Sequence, residues 1–147
     1  MEVPKIYLDN CSLNRPFDNQ SQMKIRLETE AKLYIQDCVR AGIYSLCWSF
    51  ALDYENGKNP FEDKRNSIAP WKEIASDYCP RSEAIRLRGR EIMKLGIKEL
   101  DALHIACAIE KHCDYFITTD KGVLNKNIKG IKAINPIDFV REMEELP

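Results

Sequence analysis

A chain of 147 residues and 17.0 kDa fits one domain with a core of its own. Its 44% hydrophobic and 31% charged residues exclude the disordered, collagenous and membrane-spanning classes. A net charge of -1, from 22 basic and 23 acidic side chains, excludes a global pull toward nucleic acid, so any polyanion would need a local basic patch or bound cations. Lys5 to Leu8 is a short apolar run that stops at Asp9, which predicts a strand and then a polar loop through Asn14, Arg15, Pro16 and Asn19. Met1 to Asp9 reads as that strand and not as a signal peptide; with no apolar run of membrane-spanning length, the expected location is the cytoplasm. Leu27, Ala31, Tyr34, Ile35, Cys38 and Val39 recur at helical spacing and predict a helix from Ser21 to Arg40, ended by Gly42. Ile43 to Trp48 is β-branched and aromatic, a buried strand, and Ser49 can cap a helix that carries Leu52 and Glu55 and ends near Gly57.

Pro60 and Phe61 open a helix expected over Glu62 to Ser76, and Tyr78-Cys79-Pro80 is expected to break the chain. Helical period returns from Ser82 to Gly96 and again from Leu100 to His112. Tyr115 to Thr118 is the third predicted strand and ends just before Asp120; Ile131 to Ile134 is the fourth, and Pro136 opens a terminal helix. Strands separated by helices imply parallel β-α-β units. The expected fold is therefore an α/β, three-layer α/β/α sandwich around a mostly parallel sheet of roughly four to five strands, in a single domain over residues 1–147. The six cysteines lie mostly in apolar stretches without a C-x2-C pair, so reduced, buried thiols are expected, not disulfides or zinc.

In open parallel sheets the site lies beyond the carboxyl ends of the strands. Asp9 and Asp120 each follow a strand, Glu55 lies on the helix leaving the second strand, and Asp101 lies in the first turn of the helix feeding the third. Each alone has an ordinary explanation as a turn residue, a helix-dipole acid or a solvated charge. Together they would repel strongly in a partly dry cleft with no neutralising Lys or Arg at a fixed spacing. Divalent cations resolve that conflict, and hard oxygen donors suit magnesium or manganese.

Lys5-Ile6-Tyr7-Leu8-Asp9, Leu13-Asn14-Arg15-Pro16-Phe17-Asp18, Ser49 with Glu55, the run Leu100-Asp101-Ala102-Leu103-His104-Ile105-Ala106 and Phe116-Ile117-Thr118-Thr119-Asp120 resemble the PIN-domain nucleases, which include VapC-type toxins. Carried over, the family's acidic quartet falls on Asp9, Glu55, Asp101 and Asp120, and the polar position after the first aspartate on Asn10 or Ser12. One departure is Lys121-Gly122, where many members carry a second acid or amide after the last aspartate. The resemblance implies a ribonuclease whose carboxylates hold one or two Mg2+ or Mn2+ ions that activate water against an RNA phosphodiester, with no protein nucleophile. Arg15, Lys58, Thr119 and Lys121 are candidate contacts to RNA. If the chain is a toxin, the family pattern implies a homodimer and a cognate antitoxin over the acidic groove. Two other functions compete. A haloacid-dehalogenase-type phosphatase needs a second aspartate where Cys11 stands, and a catalytically silent RNA-binding or interaction module should not keep the quartet.

Overall fold

The computed structural model describes residues 3–145; Met1, Glu2, Leu146 and Pro147, part of the expected strand and domain boundaries, lie outside the described residues. Ile6, Tyr7 and Leu8 are almost wholly buried, as consecutive apolar residues must be in a strand covered on both faces. They form β1 (Lys5–Leu8), which leads into α1 (Asn10–Asn14), a 3-10 turn (Arg15–Phe17) and α2 (Met23–Arg40). Next come β2 (Ser45–Ser49), α3 (Phe50–Gly57), α4 (Glu62–Ile68), α5 (Trp71–Ile74) and β3 (Asp77–Cys79). The chain continues through α6 (Glu83–Met93), α7 (Glu99–Glu110), β4 (Tyr115–Ile117), α8 (Lys121–Leu124), β5 (Lys132–Ile134) and α9 (Pro136–Glu144).

The strands make one sheet in the order β3-β2-β1-β4-β5, and every neighbouring pair is parallel. Helices cover it in three α/β/α layers: α2 packs against α9, α6 packs against α7, and α7 lies on β2, β3 and β4. Phe139 of α9 is fully buried and meets Tyr44 and Tyr115 edge to face, with ring centroids 5.3 and 5.0 Å away. No helix among the described residues is long and apolar enough to cross a membrane. All six cysteines are free thiols, and all but the half-buried Cys11 are buried.

The structure differs from the sequence reading in three places. Tyr78 and Cys79, expected with Pro80 as a break, belong to β3, in which Asp77, Tyr78 and Cys79 pair with Cys47, Trp48 and Ser49. The expected helix from Glu62 to Ser76 is divided into α4 and α5 around Ala69 and Pro70, because Pro70 has no amide to donate and its ring crowds the carbonyl four residues back. The expected loop after Asp9 is α1 and the 3-10 turn, because Asp9 caps a helix directly off the strand.

A candidate acidic active site at the carboxyl edge of the sheet

Adjacent parallel strands carry Asp9 and Asp120 to the same edge of the sheet. Leu8 is in register with Ile117, and the Asp9 amide continues the ladder by donating to the Ile117 carbonyl at 3.2 Å. Asp9 then has extended backbone angles and caps α1, its Oδ1 accepting from the Ser12 amide at 3.0 Å. Asp120 does the same for α8 through the Gly122 amide at 2.8 Å, while its own amide donates to Thr118 Oγ1 at 3.1 Å. A Cβ at Gly122 would stand 3.1 Å from Asp120 Oδ1, so glycine there gives this carboxylate room. Asp101 enters from α7, in the helix's first turn, where the dipole favours a negative charge.

The electrostatics are those of uncompensated anions. Burial raises the Asp9 carboxyl above its ordinary range, opposed by hydrogen bonds from Thr118, Cys11 and the Ser12 amide. Asp101 is pushed up to about 6, first by burial and then by the charges of Asp120 and Asp9. Among the described residues no ion pair reaches Asp9, Asp101 or Asp120. Nor do any three His, Cys, Asp or Glu side chains among the described residues stand close enough, as they are, to enclose a metal ion. The donor chemistry nevertheless fits a hard divalent cation: oxygen ligands, anionic and unneutralised, beside a cavity of about 180 Å³ lined by Lys98, Asp101, Asp120 and Gly122.

Glu55 is held differently. His104 Nε2 lies 2.6 Å from Glu55 Oε1, Asn10 Nδ2 donates to Oε2 at 2.8 Å, and the other ring nitrogen of His104 lies 2.6 Å from the Tyr7 hydroxyl. Tyr7 in turn is 2.6 Å from Ser49 Oγ, so a chain of buried polar groups runs from β2 through β1 and α7 to the rim.

A family model for the PIN domain matches residues 6–129, from β1 past α8. The chain belongs to the PIN-domain family. No curated protein matches the chain.

In this PIN domain the remaining candidates fall into two groups. Ser12 is fully buried and ties α1 to β4 by donating to the Ile117 carbonyl at 3.1 Å; Thr119 is buried and donates to Cys11 Sγ at 3.1 Å. Arg15 is committed to Glu28 at 2.9 Å and Asp18 at 2.8 Å. Asn10, by contrast, lines an open groove with Glu55, and Lys121 is exposed beside Asp120. Two acids outside the quartet have structural partners: Asp53 accepts from Trp48, Tyr78 and Lys72, and Asp114 accepts from the Lys5 amide. His104 is a positioning residue that the sequence reading missed, linked to Glu55. Its position three residues after Asp101, on the same helix face, was the available signal.

Proposed function

We propose that this PIN domain is an endoribonuclease dependent on Mg2+ or Mn2+, with Asp9, Asp101 and Asp120 as the metal ligands and Glu55 completing the quartet. One observation carries the reading: Asp9, Asp101 and Asp120 come from three segments at the carboxyl edge of the sheet, proton affinity is raised at Asp9 and Asp101, and among the described residues none of the three has a cationic partner. Nuclease activity is also the general property of the family. A bound divalent ion would lower the pKa of water and offset the charge that builds on a scissile phosphate.

The chain's own groups divide the remaining work. Backbone amides of Ser12 and Gly122 fix the orientation of Asp9 and Asp120. His104 is fully buried with both ring nitrogens engaged, so it orients Glu55 and does not take a proton from water. Asn10 and Lys121 stand near the acids where the substrate strand would pass, and Lys121 would supply positive charge to a phosphate, while the buried Thr119 acts through its bond to Cys11. The similarity to VapC-type toxins extends the proposal to a cytoplasmic homodimer whose acidic edge is covered by a cognate antitoxin.

The test is cleavage of a labelled single-stranded RNA by purified protein with Mn2+ or Mg2+, with chelator and Asp9→Asn in parallel. Cutting that both controls abolish is the expected result. No cutting, together with no metal binding by calorimetry, would overturn the nuclease reading in favour of an RNA-binding or interaction module.

A further inference from the structure

A second feature adjoins the acidic edge. Asn10 and Glu55 line one end of a groove of about 450 Å³, a volume in the range that encloses small organic ligands. Its other walls include Phe17, Phe61, Lys58 and Lys64. Phe17 and Phe61 are 37% and 55% exposed, although large aromatic rings ordinarily bury themselves. Both sit on stiff backbone. Phe17 ends the 3-10 turn after Pro16, and Phe61 follows Pro60, with its amide held by Asn59 Oδ1 at 3.1 Å. Asn59 Nδ2 also donates to Asn14 Oδ1 at 3.3 Å, which ties the Phe61 segment to the end of α1 just before Phe17.

The charges in the groove are equally specific. Lys64 Nζ lies 4.3 Å from the Phe61 ring centroid and 5.5 Å from that of Phe17, and Lys58 Nζ lies 4.3 Å over Tyr54. Among the described residues neither lysine makes an ion pair, while Asp18, which also borders the groove, is already paired with Arg15. An ammonium resting on a ring has a weak partner that it can exchange for a phosphate. Exposed rings interleaved with unpaired cations are what unpaired bases and their backbone require: flat apolar faces for stacking and positive charge along the strand. A duplex keeps its bases stacked inside and offers them no such contact.

We propose that this groove is a stacking subsite for single-stranded RNA, in which Phe61 and Phe17 receive bases flanking the cut and Lys58 and Lys64 bind the adjoining phosphates. The proposal rests on the ribonuclease reading for its direction toward the acids, and it concerns binding alone. Its test therefore uses chelator, so that no cleavage step enters. Anisotropy of fluorescein-labelled oligouridylate and oligoadenylate is measured on the full chain, its Phe61→Ala, Phe61→Leu and Phe61→Trp variants, and against a labelled RNA duplex.

The expected result is a loss of about five- to hundred-fold in single-strand affinity for Phe61→Ala and Phe61→Leu. Phe61→Trp should restore binding, and the duplex should be indifferent to all three. Thermal melts of the variants should match the parent, because the ring is more than half exposed. Unchanged affinity in Phe61→Ala, equal rescue by Leu and Trp, or absence of single-strand binding in the parent would each overturn the subsite. Metal-dependent cutting with an inert Phe61 would defeat this proposal and leave the nuclease standing. Stacking without cutting would do the reverse.

Discussion

Asp101→Asn should make the metal-free protein more stable, and the size of the effect follows from the crowding of the acids. The Asp101 carboxyl rises from an ordinary 3.8 to about 6 in the fold, driven by burial and by the charges of Asp120 and Asp9. Each pKa unit is about 1.4 kcal/mol, so full conversion would give about 3 kcal/mol. Solvent reaches this half-buried side chain and roughly halves that figure. The favourable first-turn dipole offsets a further few tenths, leaving about 1 kcal/mol.

The pH dependence has a definite sign. An acid whose folded pKa is raised carries no penalty below its unfolded value, because it is neutral in both states. As pH rises from 3.8 to about 6 the unfolded chain ionises first, and the native state loses stability until both states are charged. The asparagine variant never ionises, so its advantage should be near zero at about pH 4 and complete at about pH 8. For a chain of this size 1 kcal/mol is about 3–4 °C in melting temperature. Melts in chelator at the two pH values, followed by circular dichroism, read the difference directly. An advantage of the same size at both, or a variant that melts lower at high pH, would refute the idea of uncompensated repulsion. Added Mn2+ should raise the melting temperature of the parent more than that of the variant.

Two other substitutions probe the surroundings. The Glu28 carboxylate is completely buried and is held by Arg15 at 2.9 Å and by Asn135, so Arg15→Ala leaves a buried charge short of its cation and should cost about 3–5 kcal/mol in urea unfolding. Glu28→Gln in the same chain should recover most of the loss; a loss below about 1 kcal/mol would mean that the pair is screened like a surface contact. His104→Ala removes the fully buried bridge between Tyr7 and Glu55 and should cost about 2–4 kcal/mol. It should also weaken Mn2+ binding by calorimetry under conditions where the variant remains folded, and unchanged affinity would place Glu55 outside the metal site.

What the sequence conveyed and what it hid have separable causes. The parallel sheet was legible because Ile6-Tyr7-Leu8 and Phe116-Ile117 are continuous apolar runs, which a strand covered on both faces demands. That Asp9 and Asp120 leave the sheet at the same edge followed from topology, since they come after neighbouring parallel strands. β3 was hidden because Asp77-Tyr78-Cys79 is a short edge segment whose polar first residue pairs with Lys5 across the end of the sheet. α1 was hidden because Asn10 and Asn14 look like turn residues; only the Asp9 cap makes the segment helical. The Tyr7-His104-Glu55 chain joins three elements distant in sequence, and a single sequence carries spacing within a helix but no distances between elements. Arg15 looked like a free cation for the same reason, since its partner Glu28 lies one helix further on and appears on paper as a solvated charge.

The order of strands in the sheet also bears on how the protein acquires its shape. β1 is the first strand to be made, yet it occupies the middle of the sheet, between β2 and β4. Its second edge is covered only when Tyr115, Phe116 and Ile117 arrive to pair with Ile6, Tyr7 and Leu8. A nascent chain stalled before β4 therefore holds an apolar strand with one unsatisfied edge, the kind of edge that templates association between chains. Asp9 and Asp120 reach the same edge of the sheet through that same late pairing, so closure of the sheet and assembly of the acidic edge are a single event.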